Sequence, residues 1–155
     1  MQEISKFTLQ PLLAENDESD ATHSKLLFES KLTDLKLEGI SLDAQYQYES
    51  KYLLFVSHNS PFADTLHIYL LNESFIKIDE WAISALSESE WYMLRNLEIT
   101  DNNQIQFSFF GDDSWILTVL KEPQMTFPKL ALLSSYWKPL RFAFAPGYLQ
   151  LRATE

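Results

Sequence analysis

Residues 97–119 read LEITDNNQIQFSFFGDDSWILTV, and the placement of the apolar residues in this stretch decides the fold class. Asp101-Asn102-Asn103 and Gly111-Asp112-Asp113 are two turn signals, rich in residues that tolerate left-handed backbone. Around the first turn, Ile99 pairs with Ile105 and Leu97 with Phe107. Around the second, Phe109 pairs with Trp115, Phe107 with Leu117 and Ile105 with Val119. Leu97, Ile99, Ile105, Phe107, Phe109, Trp115, Leu117 and Val119 then share one face. Two independent turns yielding one common apolar face predict a three-strand antiparallel meander.

The same period of two runs toward the N-terminus. Ile40, Leu42, Ala44, Tyr46 and Tyr48 alternate with Ser41, Asp43, Gln45, Gln47 and Glu49, a half-buried strand pattern. Leu35 and Leu37 alternate before it in the opposite phase, so Gly39 marks a bulge or tight turn. Tyr52 to His58 and Thr65 to Leu71 form a hairpin across residues 59–64. Val56 then faces His67, Leu54 faces Tyr69 and Tyr52 faces Leu71. One side of that hairpin, Leu53, Phe55, Leu66, Ile68 and Leu70, is wholly apolar and fixes the register by burial. Phe75 to Asp79 follows as a strand with Ile76 and Ile78 inward and Lys77 and Asp79 outward.

Other segments are less regular. Phe7 to Leu13 reads as a short edge strand limited by Pro11, and residues 15–24 as a mobile acidic loop. Short helices are expected near Ser87 to Trp91, where Ser87 and Glu90 resemble a capping box, and over Lys129 to Tyr136. Leu140 to Ala145 and Tyr148 to Arg152 read as strands around Pro146-Gly147, whose order suits a type II turn. The expectation is one all-β domain with minor α over residues 1–155. Nine or ten antiparallel strands would form a meander that closes as a barrel or packs as a two-sheet sandwich, with one or two short helices.

Composition bounds the function. The chain has 155 residues and no cysteine, which removes disulfides, thiolate nucleophiles and Cys-ligated zinc. The N-terminus lacks a basic, apolar leader and no stretch reaches the length of a membrane span, so a cytoplasmic protein without membrane contact is expected. The net charge of −10 falls unevenly, −6 over residues 1–50, −4 over 51–100 and 0 thereafter. Acidic surface repels phosphate backbones, which argues against nucleic-acid binding and for solubility or a basic protein partner. Gly-rich phosphate loops are absent, and nothing implies a cofactor.

The residues that invite attention lie on the hairpin face opposite the apolar one and, for Asp64, in the connecting loop. Tyr52, His58, Asp64, His67 and Tyr69 form the candidate binding set. His58 and His67 are diagonal neighbours there, and a metal would need a third ligand, which Asp64 could supply. Ser60, His58 and Asp64 also permit a Ser–His–Asp relay on paper, although the ordinary reading of all these groups is a solvated hairpin end. Asp112 and Asp113 read as turn residues. The face itself has three readings: an exposed interface patch, the lining of a cavity in a barrel, or a second mini-core covered by Phe127 to Trp137. The functional expectation is a non-enzymatic acidic protein-binding module, such as an inhibitor or immunity-type protein neutralising a basic partner. A small-molecule-binding β-barrel is the alternative.

Overall fold

The computed structural model describes residues 1–12, 22–59, 64–84, 92–111, 113–125 and 136–154. In chain order its elements begin with β1 (Gln2–Glu3), β2 (Phe7–Pro11), β3 (His23–Phe28) and β4 (Lys31–Glu38). Next come β5 (Ser41–Tyr48), β6 (Lys51–Ser57), β7 (Thr65–Leu71) and β8 (Lys77–Ser84). The remainder are β9 (Tyr92–Asp101), β10 (Gln104–Phe110), β11 (Ser114–Gln124), β12 (Tyr136–Trp137), α1 (Leu140–Ala143) and β13 (Gly147–Thr154).

These strands make three antiparallel sheets in the orders β2-β3-β4, β1-β5-β6-β7-β8-β12 and β13-β11-β10-β9. The all-β class is as expected. The single meander of nine or ten strands is not: among the described residues no closed barrel is found, and three sheets take the place of one or two. The physical reason lies in β6 and β7, whose apolar residues fill both faces. Leu53, Phe55, Leu66, Ile68 and Leu70 pack with Phe107, Trp115 and Leu117 of the four-stranded sheet. Leu54, Val56, Tyr69 and Leu71 pack with Phe7, Leu26 and Leu37 of the three-stranded sheet. A sheet buried on both sides needs a covering layer on each. Of the three sequence readings of the second face, the structure shows the covered one, but the cover described is β2-β3-β4. Of Phe127 to Trp137, only Tyr136 and Trp137 are among the described residues, and they pair with β8 at Ile83 and Ala82.

Gly39 is where the chain leaves one sheet for the next. Its φ is +105°, and a β-carbon there would run into Val56 and the Ser57 carbonyl. The phase change read from sequence is therefore a corner between sheets. A bulge between Leu42 and Ala44 then turns Leu42 toward the three-stranded layer while Ala44, Tyr46 and Tyr48 face the other core, so the alternation from Ile40 serves two interiors.

Other expectations need correction. The pairs Val56–His67, Leu54–Tyr69 and Tyr52–Leu71 form as read, and so does Ile99–Ile105. The β10–β11 ladder instead pairs Phe107 with Trp115 and Ile105 with Leu117, two residues away from the expected register. A shift of two keeps every side chain on its face, so burial could not distinguish the two registers. His23 and Ser24, assigned to a mobile loop, begin β3, and Ser24 is buried; residues 15–21 of that loop and the capping-box turn at residues 87–91 lie outside the described residues. Leu140 to Ala143 is a helical turn entered from Pro139, whose φ of −53° suits a helix start. Gly147 is a strand residue without the positive φ of a type II turn. Ile76 is exposed, whereas Asp79, expected to face water, is fully buried against Lys138.

Candidate functional site

At the seam between the three-stranded layer and the central sheet, β7 contributes His67, the end of β6 leads into His58, and β4 ends in Glu38. One ligand atom from each, the imidazole nitrogens and a carboxylate oxygen, lie within 4.8 Å of one another. Glu38 Oε1 is 3.8 Å from His58 Nε2 and 3.9 Å from His67 Nε2. His23, the remaining histidine of the chain, stands opposite Glu38 in the β3–β4 ladder.

The positions are held from several sides. Tyr69 stacks on His67 with an interplanar angle of 4°, and its hydroxyl donates to the Glu38 carbonyl (2.9 Å) while accepting from the Glu38 amide (3.1 Å). Asp64 Oδ1 accepts the backbone N–H groups of His58 (2.8 Å) and Thr65 (2.7 Å), which fixes the chain at the point where His58 leaves β6. His67 Nδ1 lies 3.4 Å from Glu80 Oε1, and Lys77 Nζ donates to Glu80 Oε2 at 2.7 Å. His67 is only 5% exposed, and its Nε2 has no hydrogen-bond partner among the described protein atoms. With Nδ1–H directed at Glu80, a neutral imidazole carries its lone pair on Nε2.

Electrostatics follow the geometry. Burial, and then the proximity of His67, hold His58 below the usual imidazole range, although Glu38 opposes this. Burial alone would raise the Glu80 carboxyl, but hydrogen bonds from His67 and Lys77 outweigh it, so the net shift is downward and the group stays ionised. Burial, reinforced by the charges of Glu80 and Glu38, pushes the Tyr69 phenol well above its ordinary range, so it acts as a neutral hydrogen-bonding group.

Of the five residues selected from sequence, His58, Asp64, His67 and Tyr69 come together here. Tyr52 does not: it packs in an aromatic cluster with Phe7, Phe28 and Phe75. His67 and Asp64 are buried rather than solvated. The third group within ligand reach is Glu38, in a different sheet, where sequence reasoning proposed Asp64. Ser60, needed for the relay, is outside the described residues. Glu38 and Glu80 were missed, although Glu38 immediately precedes the Gly39 corner that brings β4 against β6.

A second feature lies beyond the aromatic cluster. Phe28, Leu32, Leu35, Phe75 and Ile76 line a groove of about 520 Å3 whose charged residues are Lys31, Lys77, Arg141 and Asp34. Leu32 and Ile76 are each 55% exposed, and α1, which supplies Arg141, also exposes Leu140, with Phe144 exposed just beyond it. Among the described residues no helix is long and apolar enough to cross a membrane. Comparison with known protein families, with curated proteins and with solved structures returns no match to this chain.

Proposed function

We propose that the chain is a non-enzymatic protein-binding module whose groove receives an apolar, carboxylate-bearing segment of a partner protein. The observation that carries this reading is the concentration of exposed Leu32 and Ile76 along one groove with three cations and one acid at its walls. Soluble monomers seldom leave large apolar side chains clustered in water, and a polar-rimmed apolar patch is the usual form of an interaction site. The net charge of −10 favours a basic partner at long range, but the groove has the opposite local sign, and contact chemistry follows the local sign. An internal ligand in a barrel finds no support, since no closed barrel is found among the described residues.

The test is affinity capture from the native host followed by cross-linking mass spectrometry. Partner cross-links are expected at Lys31 and Lys77. The double variant Leu32→Glu, Ile76→Glu is expected to lose that partner, while Thr118→Glu on the outer face of β11 keeps it. Capture unchanged by the double variant, or cross-links confined to the sheet β13-β11-β10-β9, would refute the groove.

A further inference from the structure

The seam at Glu38 holds a group that ordinary folding does not account for. A buried imidazole nitrogen without a partner is destabilising, yet His67 Nε2 is left in that state, within reach of Glu38 and His58. Its other nitrogen is oriented by Glu80, itself held by Lys77. A carboxylate behind a histidine, with the far nitrogen directed at a gathering of further ligands, is the second-layer arrangement of metal-bound histidines. We propose that Glu38, His58 and His67 bind one divalent first-row transition ion, of which zinc is the representative.

The distances suit the assignment. Zinc bonds of 2.0–2.2 Å in tetrahedral geometry set ligand atoms roughly 3.3–3.5 Å apart. Glu38 Oε1 is already 3.8 and 3.9 Å from the two imidazole nitrogens and all three ligand atoms lie within 4.8 Å of one another, so closing the set takes shifts of about 1 Å by Glu38 and by the half-buried His58. The Glu38 side chain is 52% exposed and free to adjust, whereas His67 is fixed. Two imidazoles and a carboxylate match borderline ions such as zinc better than calcium or magnesium, which prefer oxygen alone. Charge agrees as well: Glu38 and Glu80 bring two carboxylates to the site, and Lys77 pairs with Glu80. Three protein ligands leave a fourth position toward solvent. Because Glu38 belongs to the three-stranded layer and the histidines to the hairpin of the central sheet, the ion would join two layers. This inference does not rest on the groove, with which the site shares Lys77.

The probe is zinc ion itself, titrated calorimetrically into the full chain after treatment with a chelator. Saturable binding of one ion per chain is expected, with a rise in thermal midpoint on zinc addition and tetrahedral-type visible absorption when cobalt is substituted. Glu38→Gln and His58→Gln, both at partly exposed positions, are each expected to weaken binding at least tenfold and to abolish the thermal shift while circular dichroism stays unchanged. Glu80→Gln is expected to weaken it by about 10- to 100-fold. Absence of saturable zinc binding would overturn the proposal. So would binding that Glu38→Gln and His58→Gln leave intact, since the ion would then sit elsewhere.

Discussion

Lys138 Nζ lies 2.7 Å from Asp79 Oδ1 and 2.9 Å from Oδ2, with Lys138 2% and Asp79 0% exposed. Asp79 also accepts the backbone N–H groups of Glu80 (2.8 Å) and Leu149 (2.7 Å), and the ammonium lies 5.2 Å from the Trp81 ring centroid. This pair links β8 to β13 and to the segment before α1, joining two sheets through a buried ion pair. Removing one partner strands the other. Lys138→Met or Asp79→Asn is expected to cost about 3–5 kcal/mol, whereas the two together should recover part of that loss, because the amide oxygen at position 79 still accepts a backbone N–H and no buried charge is left unpaired. Urea unfolding of the three variants checks this, and a double variant no better than the singles would contradict it.

Gly147 presses directly on this pair, because a β-carbon there would overlap Lys138 Nζ and Asp79 Oδ2. Gly147→Ala is expected to destabilise by about 1–3 kcal/mol through overpacking. In a Lys138→Ala background the added cost should shrink, since one of the colliding atoms is gone. A double-mutant cycle read from denaturant midpoints measures the coupling.

Tyr69 is more than a core aromatic, because its hydroxyl satisfies both the amide and the carbonyl of Glu38. Tyr69→Phe keeps the ring and its packing on Leu54 and Val56 but leaves those backbone groups without the hydroxyl. A loss of about 1–3 kcal/mol is expected, with hydrogen exchange at the Glu38 amide faster than in the parent. Unchanged exchange at that amide would count against the bridging role.

The two cores should respond separately. Leu117→Ala on one side of the central sheet and Leu54→Ala on the other are each expected to cost about 2–5 kcal/mol as cavities. Both residues are fully buried, but they belong to different clusters. Their effects should therefore add within about 0.5 kcal/mol. Strong non-additivity in thermal unfolding would argue that the layers are one packing unit.

Most of the local structure was legible in the sequence. The β6–β7 register follows from one wholly apolar face, and the turns at residues 101–103 and near Gly111 mark the hairpins of the four-stranded sheet. The expectation of one or two sheets overlooked the unbroken apolar run Leu53-Leu54-Phe55-Val56, since a strand with one wet face would alternate. What periodicity cannot reach is the joining of distant segments. Asp79 looks like a solvent-facing acid until Lys138, fifty-nine positions later, is placed against it. Glu38 looks like one more charged residue of an amphipathic strand until the Gly39 corner carries it to His58 and His67. The two histidines were identified because they share a hairpin; their carboxylate partners come from other strands and leave no local pattern.

The strands ahead of Gly39 also serve as a shield. Stripped of them, the outward side of β6 and β7 would present Leu54, Val56, Tyr69 and Leu71 as a flat, adhesive surface. Release of that layer after a proteolytic nick would therefore favour aggregation, so the cover that completes the second core also guards the chain against self-association.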